Sequence, residues 1–282
     1  MRILGLLPLF LLACADEPIE TVVTPPVPGQ QSGTCPAIDG DDTYTLESNG
    51  RERDVIVYTP DDMNPGKPVL FLWYGVGDSG TILARVLEAR RIAQDHDVIV
   101  VVPQAVDENP LEWGFLNGGE DDLALYDDMR SCLYQDFDID LSRIYSTGFS
   151  GGGLWTTFLT MHRSDTLASV LMFSGGTEPI IEYENLDWDI PVLLSWGGPS
   201  DVWGVPGLFE VEFEATTLDL QAELAEDGHT VISCNHDLGH TLPSAASDMV
   251  TSWLFAHQYR QPSPFAEGAL EALPDFCERI DP

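Results

Sequence analysis

Apolar residues in this chain form short, nearly continuous runs that are separated by stretches with helical spacing. The runs Pro68–Tyr74 and Val98–Val102 are almost wholly apolar, which is typical of strands buried on both faces of a sheet. The stretches Ile82–His96 and Glu120–Phe137 repeat apolar residues at helical intervals. Further strands are predicted at Ile144–Phe149, Ser169–Ser174, Val192–Trp196 and Thr230–Cys234, with helices at Leu154–Met161, Phe209–Asp227 and Ser244–Tyr259.

This alternation of strands and helices predicts an α/β fold with a mostly parallel, doubly wound sheet. Near the beginning, Tyr44–Glu47 and Asp54–Thr59 flank Asn49-Gly50, a dipeptide that favours the tight turn of an antiparallel hairpin. We find no internal repeat and no second domain in the sequence. One globular domain is therefore predicted over residues 35–282.

The first 34 residues are predicted to export and tether this domain. Met1-Arg2 precede the apolar stretch Ile3–Ala13, which is shorter than the roughly 20 residues that span a bilayer and suits a signal peptide at 1–13. The segment Leu11-Leu12-Ala13-Cys14 resembles the lipobox of bacterial lipoproteins, which implies cleavage before Cys14 and lipidation of its thiol. An ordinary signal peptide with an incidental cysteine is the alternative. Residues 14–34 are proline-rich and predict an extended tether.

A lipid on Cys14 would hold the protein at the bacterial cell envelope without a membrane-spanning helix. Because Ala15 rather than aspartate follows the cysteine, we expect the outer membrane, with the domain facing the periplasm or the surface. The lipid would then be the protein's only contact with the membrane.

The remaining cysteines are Cys35, Cys132, Cys234 and Cys277, and an even number in an exported chain favours two disulfides. No two of them have the C-x-x-C spacing of a metal site. Three pairings are open, and free thiols are a further alternative. Pairing Cys35 with Cys277 would tie the two ends of the domain and leave Cys132 for Cys234.

The charge balance excludes one large class of partner. The chain has 47 acidic and 12 basic residues, a formal net charge of −35. Such a field repels nucleic acid and anionic surfaces, and it keeps a protein soluble. Nucleic-acid binding is therefore excluded.

The most informative motif is the Gly-x-Ser-x-Gly at Gly148–Gly152, which follows the predicted strand Ile144–Phe149 and precedes a predicted helix. In this strand-turn-helix setting a serine, here Ser150, occupies a sharp turn with its hydroxyl exposed above the sheet. Glycines suit the turn because strand and helix approach too closely for a Cβ. The alternative is that Ser150 only caps the helix.

A serine hydroxyl becomes a nucleophile when a histidine takes its proton and a carboxylate orients that histidine. Asp201 lies in a loop after the apolar strand that ends at Trp196, and His240 lies in the loop after the next strand. The chain order Ser, Asp, His is that of an α/β-hydrolase triad.

Other assignments compete with these residues. His236 is the alternative base, and Asp187 and Asp189 are alternative acids, although both precede their strand. The segment 236–240 resembles the His-Glu-x-x-His of zinc hydrolases, but Gly239 and Pro243 argue against the helix that such a site needs. We therefore predict no metal and no cofactor.

Taken together, the motifs resemble those of secreted α/β-hydrolase esterases, a group that includes polyhydroxybutyrate depolymerases, feruloyl esterases and related carbohydrate esterases. The resemblance runs from about Arg51 to Ala256 and implies that Ser150 is the nucleophile, Asp201 the acid and His240 the base. It is carried by Val102-Pro103-Gln104 with Trp113, Asp121-Asp122, Asp140-x-x-Arg143-Ile144-Tyr145, the serine motif, Gly198-x-x-Asp201 and Gly239-His240-Thr241-x-Pro243.

Two departures from the family pattern bear on the site. Tyr74 stands where the family has histidine, before Gly75-Val76-Gly77, and Trp196-Gly197-Gly198 replaces a His-Gly before Asp201. The backbone amides of Val76 and Gly151 are expected to form the oxyanion hole. Tyr74, Trp113 and Trp203 are candidate substrate-binding residues, whereas Trp73 and Trp155 are predicted to be core.

We therefore expect a monomeric serine esterase that acts through an acyl-enzyme on polyhydroxyalkanoate, feruloyl or acetyl-polysaccharide esters. One alternative is a serine peptidase on the same fold. The other is a catalytically silent surface lipoprotein that binds polysaccharide or a partner protein. An activated serine would distinguish the enzymes from the binding protein.

Overall fold

The computed structural model describes residues 23–106, 111–186, 188–268 and 270–280. The predicted signal peptide, Cys14 and Asp187 lie outside the described residues. No helix within the described ranges combines the length and the apolar character that crossing a membrane requires.

The core of the fold is a sheet of nine strands in the order β1-β2-β4-β3-β5-β6-β7-β10-β11. The six strands from β4 to β10 run parallel, while β1, β2 and β11 pair antiparallel at the two sides. The predicted mostly parallel α/β fold with its N-terminal hairpin is confirmed. The strands are β1 Asp42–Ser48, β2 Arg51–Tyr58, β3 Val69–Trp73, β4 Ile99–Pro103, β5 Ile144–Phe149, β6 Ser169–Phe173, β7 Val192–Trp196, β10 Val231–Asn235 and β11 Cys277–Ile280; β8 Val202–Val205 and β9 Phe209–Glu212 form a separate hairpin.

Strands β3, β4, β6 and β7 are buried at every residue, and β5 at every residue except Phe149, as expected of strands covered on both faces of a sheet. The helices that pack around the sheet are α1 Gly80–Val86, α2 Ala89–Asp95, α3 Glu120–Phe137, α4 Gly151–Arg163, α5 Phe213–Glu226 and α6 Ala246–Met249, the last continuing into a π-helical turn at Val250–Leu254. Helices α1 and α4 follow β3 and β5 and begin at the carboxyl edge of the parallel strands. That edge is where the loops after β3, β5, β6, β7 and β10 meet.

Three predicted helices differ from those observed. The helix predicted at 82–96 is two helices, because Glu88 adopts a left-handed conformation with φ 57° between them. The first four residues of the helix predicted at 209–227 pair with β8 instead, through a turn at Pro206-Gly207. The helix predicted at 244–259 ends at Leu254.

The disulfides pair Cys35 with Cys132 and Cys234 with Cys277, so the predicted pairing of Cys35 with Cys277 is wrong. The physical reason is the antiparallel strand β11, which the sequence analysis missed. It places Cys277 directly opposite Cys234 in the register of β10 and β11. Cys35 is instead close to helix α3, which carries Cys132.

The end of the predicted tether lies along the domain. The backbone amide of Ser32 donates to Asp128 Oδ1 at 2.7 Å, and the Ser131 hydroxyl donates to the Gly29 carbonyl at 2.9 Å. The guanidinium of Arg130 donates to the carbonyl of Pro26. Contacts with the folded domain therefore begin before Cys35, and residues 26–32 are fastened to helix α3.

Candidate active site

Ser150 occupies the turn between β5 and α4. Its backbone angles, φ 59° and ψ −122°, are ones that residues other than glycine rarely adopt. The glycines on both sides permit this turn. A Cβ on Gly148 would lie 2.1 Å from the carbonyl oxygen of Gly152, and one on Gly152 would lie 1.9 Å from that of Trp73. Strand and helix can approach this closely only with glycine at both positions.

The turn brings the predicted triad together. The Oγ of Ser150 lies 2.9 Å from Nε2 of His240, and Nδ1 of His240 lies 2.7 Å from Oδ1 of Asp201. The three side chains therefore form a continuous hydrogen-bonded chain that ends at a buried carboxylate, since Asp201 is 1% exposed. In this arrangement a proton can pass from the serine hydroxyl to the imidazole.

The second oxygen of Asp201 is also fully engaged. Its Oδ2 accepts a hydrogen bond from the hydroxyl of Ser174 and another from the amide of Gly197, each at 2.8 Å. Ser174 follows β6 in a left-handed conformation with φ 50°, and sequence reasoning missed it. Its position after a buried strand, like that of Ser150, was the available signal. The carboxylate is thus fixed in orientation from three directions.

Two phenylalanine rings fix the plane of the His240 imidazole. Phe149 stacks on it with ring centroids 4.9 Å apart, and Phe213 with centroids 4.8 Å apart and an interplanar angle of 13°. The amide of Phe213 also donates to the backbone carbonyl of Asp201 at 2.8 Å. Neither phenylalanine was singled out from the sequence.

The amides of Val76 and Gly151 lie side by side next to Ser150. A Cβ on Gly151 would be 3.3 Å from the nitrogen of Val76, and a Cβ on Gly75 would be 2.9 Å from the Cβ of Ser150. No group in the described part of the chain accepts a hydrogen bond from either amide. Two unengaged donors beside a nucleophile have the composition of an oxyanion hole.

Two of the three predicted substrate-binding residues are buried. Trp113 is 0% exposed and packs edge-on against Trp73, and Tyr74 is 5% exposed. Their polar atoms bind the protein: the Trp113 indole donates to the carbonyl of Tyr74 at 2.8 Å, and the Tyr74 hydroxyl accepts from the amide of Ala105 at 2.9 Å. Substrate cannot reach these side chains here. Trp203 is partly buried on β8, where it packs against Phe209, and Trp155 is core as predicted.

The competing residues lie apart from this chain of hydrogen bonds. His236 packs against Phe276, and burial lowers its pKa. Asp189 is exposed just before β7, at the strand's opposite end from Asp201. Among the residues the structure describes, no three histidine, cysteine or acidic side chains are grouped as metal ligands would be.

The loops around the triad carry only negative formal charge. The segments 75–79, 111–117, 197–212 and 236–243 contain no lysine and no arginine. Their acidic residues are Asp78, Glu112, Asp201, Glu210, Glu212 and Asp237. A cleft lined by one sign of charge lowers the local concentration of ligands with that sign, so neutral or cationic ligands are favoured here.

Comparison with known proteins finds that the chain is similar in sequence to one esterase and in fold to several solved structures. No protein-family model matches the chain. Feruloyl esterase D from Neurospora crassa is 25% identical over 177 residues, which cover 55% of this chain and 59% of that protein. The chain thus spans about three fifths of the length of this curated relative.

Solved structures share the fold over most of the chain. The crystal structure of native sOPH superposes with a TM-score of 0.68 at 19% identity, covering 88% of this chain and 96% of that one. The poly(3-hydroxybutyrate) depolymerase LpqC from Bordetella parapertussis gives 0.60 at 18% identity, covering 80% and 92%. The predicted α/β-hydrolase fold is confirmed, as is the similarity to the depolymerase and feruloyl esterase group.

Proposed function

We propose that this protein is a serine hydrolase of carboxylic esters. The observation that carries the proposal is the chain of hydrogen bonds from Ser150 through His240 to Asp201, with distances of 2.9 and 2.7 Å. The two unengaged amides beside Ser150 and the named activities of the relatives support it. No cofactor is required by this chemistry.

In the proposed reaction the Oγ of Ser150 attacks the ester carbonyl carbon while Nε2 of His240 takes the hydroxyl proton. The carbonyl oxygen becomes an oxyanion that accepts hydrogen bonds from the amides of Val76 and Gly151. Collapse of this intermediate breaks the bond to the alcohol, which leaves with the proton from His240. The acyl group remains on Ser150.

Water completes the cycle. His240 takes a proton from water, the hydroxide attacks the acyl carbon, and collapse releases the carboxylic acid and returns the proton to Ser150. Throughout, Asp201 stabilises the imidazolium that forms on His240. The carboxylate does not itself need to take the proton.

The substrate class follows from the relatives and from the charge at the site. Polyhydroxyalkanoate, feruloyl and acetyl-polysaccharide esters remain our proposed substrates, in line with the names of similar proteins. The acidic loops around the triad favour those members of the class that carry no negative charge near the ester. Hydrolysis of amide bonds rather than esters would instead indicate a serine peptidase.

We further propose that the protein is exported and held at the bacterial envelope by lipid on Cys14. Two disulfides suit an oxidising compartment outside the cytosol. Metabolic labelling with a fatty-acid analogue, compared between the wild type and Cys14→Ser, tests the anchor. Equal labelling of both proteins would contradict it.

Labelling with a fluorophosphonate probe tests the activated serine. We expect the purified wild type to be labelled and Ser150→Ala to be unlabelled, although both give the same circular dichroism. Ser195→Ala is the matched control, because Ser195 is a buried serine whose hydroxyl has no partner. If folded wild type is not labelled, the esterase proposal fails and the silent binding lipoprotein becomes the better description.

A further inference from the structure

The segment Leu111–Trp113 forms a turn whose geometry is unusual. The amide of Trp113 donates to the carbonyl of Leu111 at 2.7 Å, and Glu112 between them has φ 65°. A three-residue turn with a positive φ at its centre is a rare and strained γ-turn. Such strain in a residue that is not glycine persists only where the surrounding structure imposes it, and it concentrates at functional sites.

Two side chains of this turn bind the loop that carries the Val76 amide. The indole of Trp113 donates to the carbonyl of Tyr74 at 2.8 Å, and Oε1 of Glu112 accepts from the amide of Gly77 at 3.1 Å. These contacts lie on either side of Gly75-Val76 in the chain. Val76 is thus held between two fixed backbone groups.

We propose that Glu112 and Trp113 are positioning residues that hold the Val76 amide in the oxyanion hole. This inference rests on the proposed esterase function, because it assigns the turn a role in that reaction. Neither residue touches the reacting atoms. Each acts through the backbone of residues 74–77.

The turn is well placed to act as a rigid support. The ring of Trp113 is fully buried and packs against Trp73 and Trp155, with centroids 5.0 and 6.3 Å away. The next residue, Gly114, donates its amide to Oδ2 of Asp122 at 2.8 Å. Asp122 is itself paired with the buried Arg53 at 2.6 Å. The turn is therefore fixed to the core on one side and to the oxyanion loop on the other.

Small movements of the loop at residues 74–77 would change the oxyanion hole, because this loop lies against the start of helix α4. A Cβ on Gly151 would lie 2.8 Å from Cγ2 of Val76, so the two donor segments are in close contact. An oxyanion hole binds the transition state more tightly than the substrate. Loosening the loop should therefore lower kcat and leave KM nearly unchanged.

Glu112→Ala and Glu112→Gln separate this role from general stability. Glutamine retains an oxygen that accepts from Gly77, whereas alanine does not. With 4-nitrophenyl butyrate we expect Glu112→Ala to lose roughly tenfold in kcat, less than the hundred- to thousandfold cost of removing an oxyanion donor outright. Glu112→Gln should recover most of that loss. Trp113→Phe, which replaces the indole by a smaller aromatic ring without an N–H, should resemble Glu112→Ala.

Glu88→Ala is the matched control, because Glu88 is also a glutamate at positive φ, 57°, but its carboxylate pairs with Arg91 away from the oxyanion loop. Its kcat should equal that of the wild type. Equal kcat for Glu112→Ala and the wild type, or an equal loss in Glu112→Ala and Glu112→Gln, would overturn the inference. So would a change confined to KM.

Amide hydrogen exchange tests the support without relying on catalysis. The peptide containing Gly77 should lose protection in Glu112→Ala and keep it in Glu112→Gln. If the wild type neither hydrolyses esters nor reacts with the fluorophosphonate, the proposed function fails, and this comparison still decides whether the turn orders the loop. Unchanged exchange in Glu112→Ala would refute the ordering itself.

Discussion

Removal of the Ser174 hydroxyl tests whether the orientation of Asp201 limits catalysis. Ser174 donates a 2.8 Å hydrogen bond to Oδ2 of Asp201, while Oδ1 binds His240. In Ser174→Ala, Oδ2 of Asp201 still accepts a hydrogen bond from the amide of Gly197, so the carboxylate is held less firmly but keeps one donor on this oxygen. The variant thus removes one of the two donors that fix the second oxygen.

The expected magnitude follows from the chemistry of that bond. A hydrogen bond to a charged group contributes about 1.5–3 kcal/mol. Asp201 is 1% exposed, so water does not readily replace the lost donor. If about 2 kcal/mol of the loss appears in the transition state, where His240 carries its positive charge, kcat falls roughly 30-fold. KM should change little, because the bond does not involve the substrate.

The assay is steady-state hydrolysis of 4-nitrophenyl butyrate, with thermal unfolding measured on the same samples. Ser174→Gly serves as a second variant, because it removes the hydroxyl and relieves the backbone strain at φ 50°. Both variants should lose kcat alike, although glycine should unfold at the higher temperature. Ser195→Ala, which removes a buried hydroxyl without a partner, should keep full activity. A kcat for Ser174→Ala within twofold of wild type would refute the reasoning.

Three further predictions concern stability. Burial lowers the pKa of His257 from 6.5 to about 4. Between pH 6.5 and 4 the unfolded chain therefore binds a proton on this imidazole that the folded protein does not bind. The free energy of unfolding should fall by roughly 3 kcal/mol over this range, and urea titrations of His257→Gln should show a shallower decline. Gly152→Ala should abolish fluorophosphonate labelling and lower the melting temperature, because the new Cβ would meet the carbonyl of Trp73 at 1.9 Å; a labelled, stable variant would contradict this. Cys35→Ser combined with Cys132→Ser opens a loop with a sequence separation of 97 and should lower the free energy of unfolding by about 2–4 kcal/mol, whereas an unchanged denaturation midpoint would argue against the cross-link.

The parallel sheet was predictable because its strands are buried on both faces, which leaves an almost unbroken apolar signal. Helix α3 was predicted with its observed ends, Glu120 and Phe137, because the segment has helical spacing and acidic residues in its first turn. Where the prediction of one helix over 82–96 failed, one residue changed the local conformation. Glu88 interrupts a regular helical pattern through its backbone angle, which no apolar spacing reveals.

The three side chains of the triad could be placed because each follows a parallel strand, and parallel strands bring their ends together. The side chains that orient them were less predictable. Phe213 reaches His240 only because the β8–β9 hairpin returns the chain to Asp201, and the second strand of that hairpin was predicted to be part of a helix. The disulfide pairs likewise depend on which strands become neighbours. Trp113 was predicted to contact substrate, but its side chain is fully buried and its indole donates to the carbonyl of Tyr74.

In the proposed form with lipid on Cys14, the docking of residues 26–32 on helix α3 limits how far Ser150 can lie from the membrane. A free tether from Cys14 to Cys35 would extend at most about 70 Å, at 3.3–3.6 Å per residue. With Pro26 fastened to Arg130, only about 12 residues lead from Cys14 to the domain, and their reach is at most about 40 Å. A lipidated form would therefore keep Pro26 within about 40 Å of the membrane surface. Polymer chains farther out would have to diffuse toward the membrane before their esters could meet Ser150.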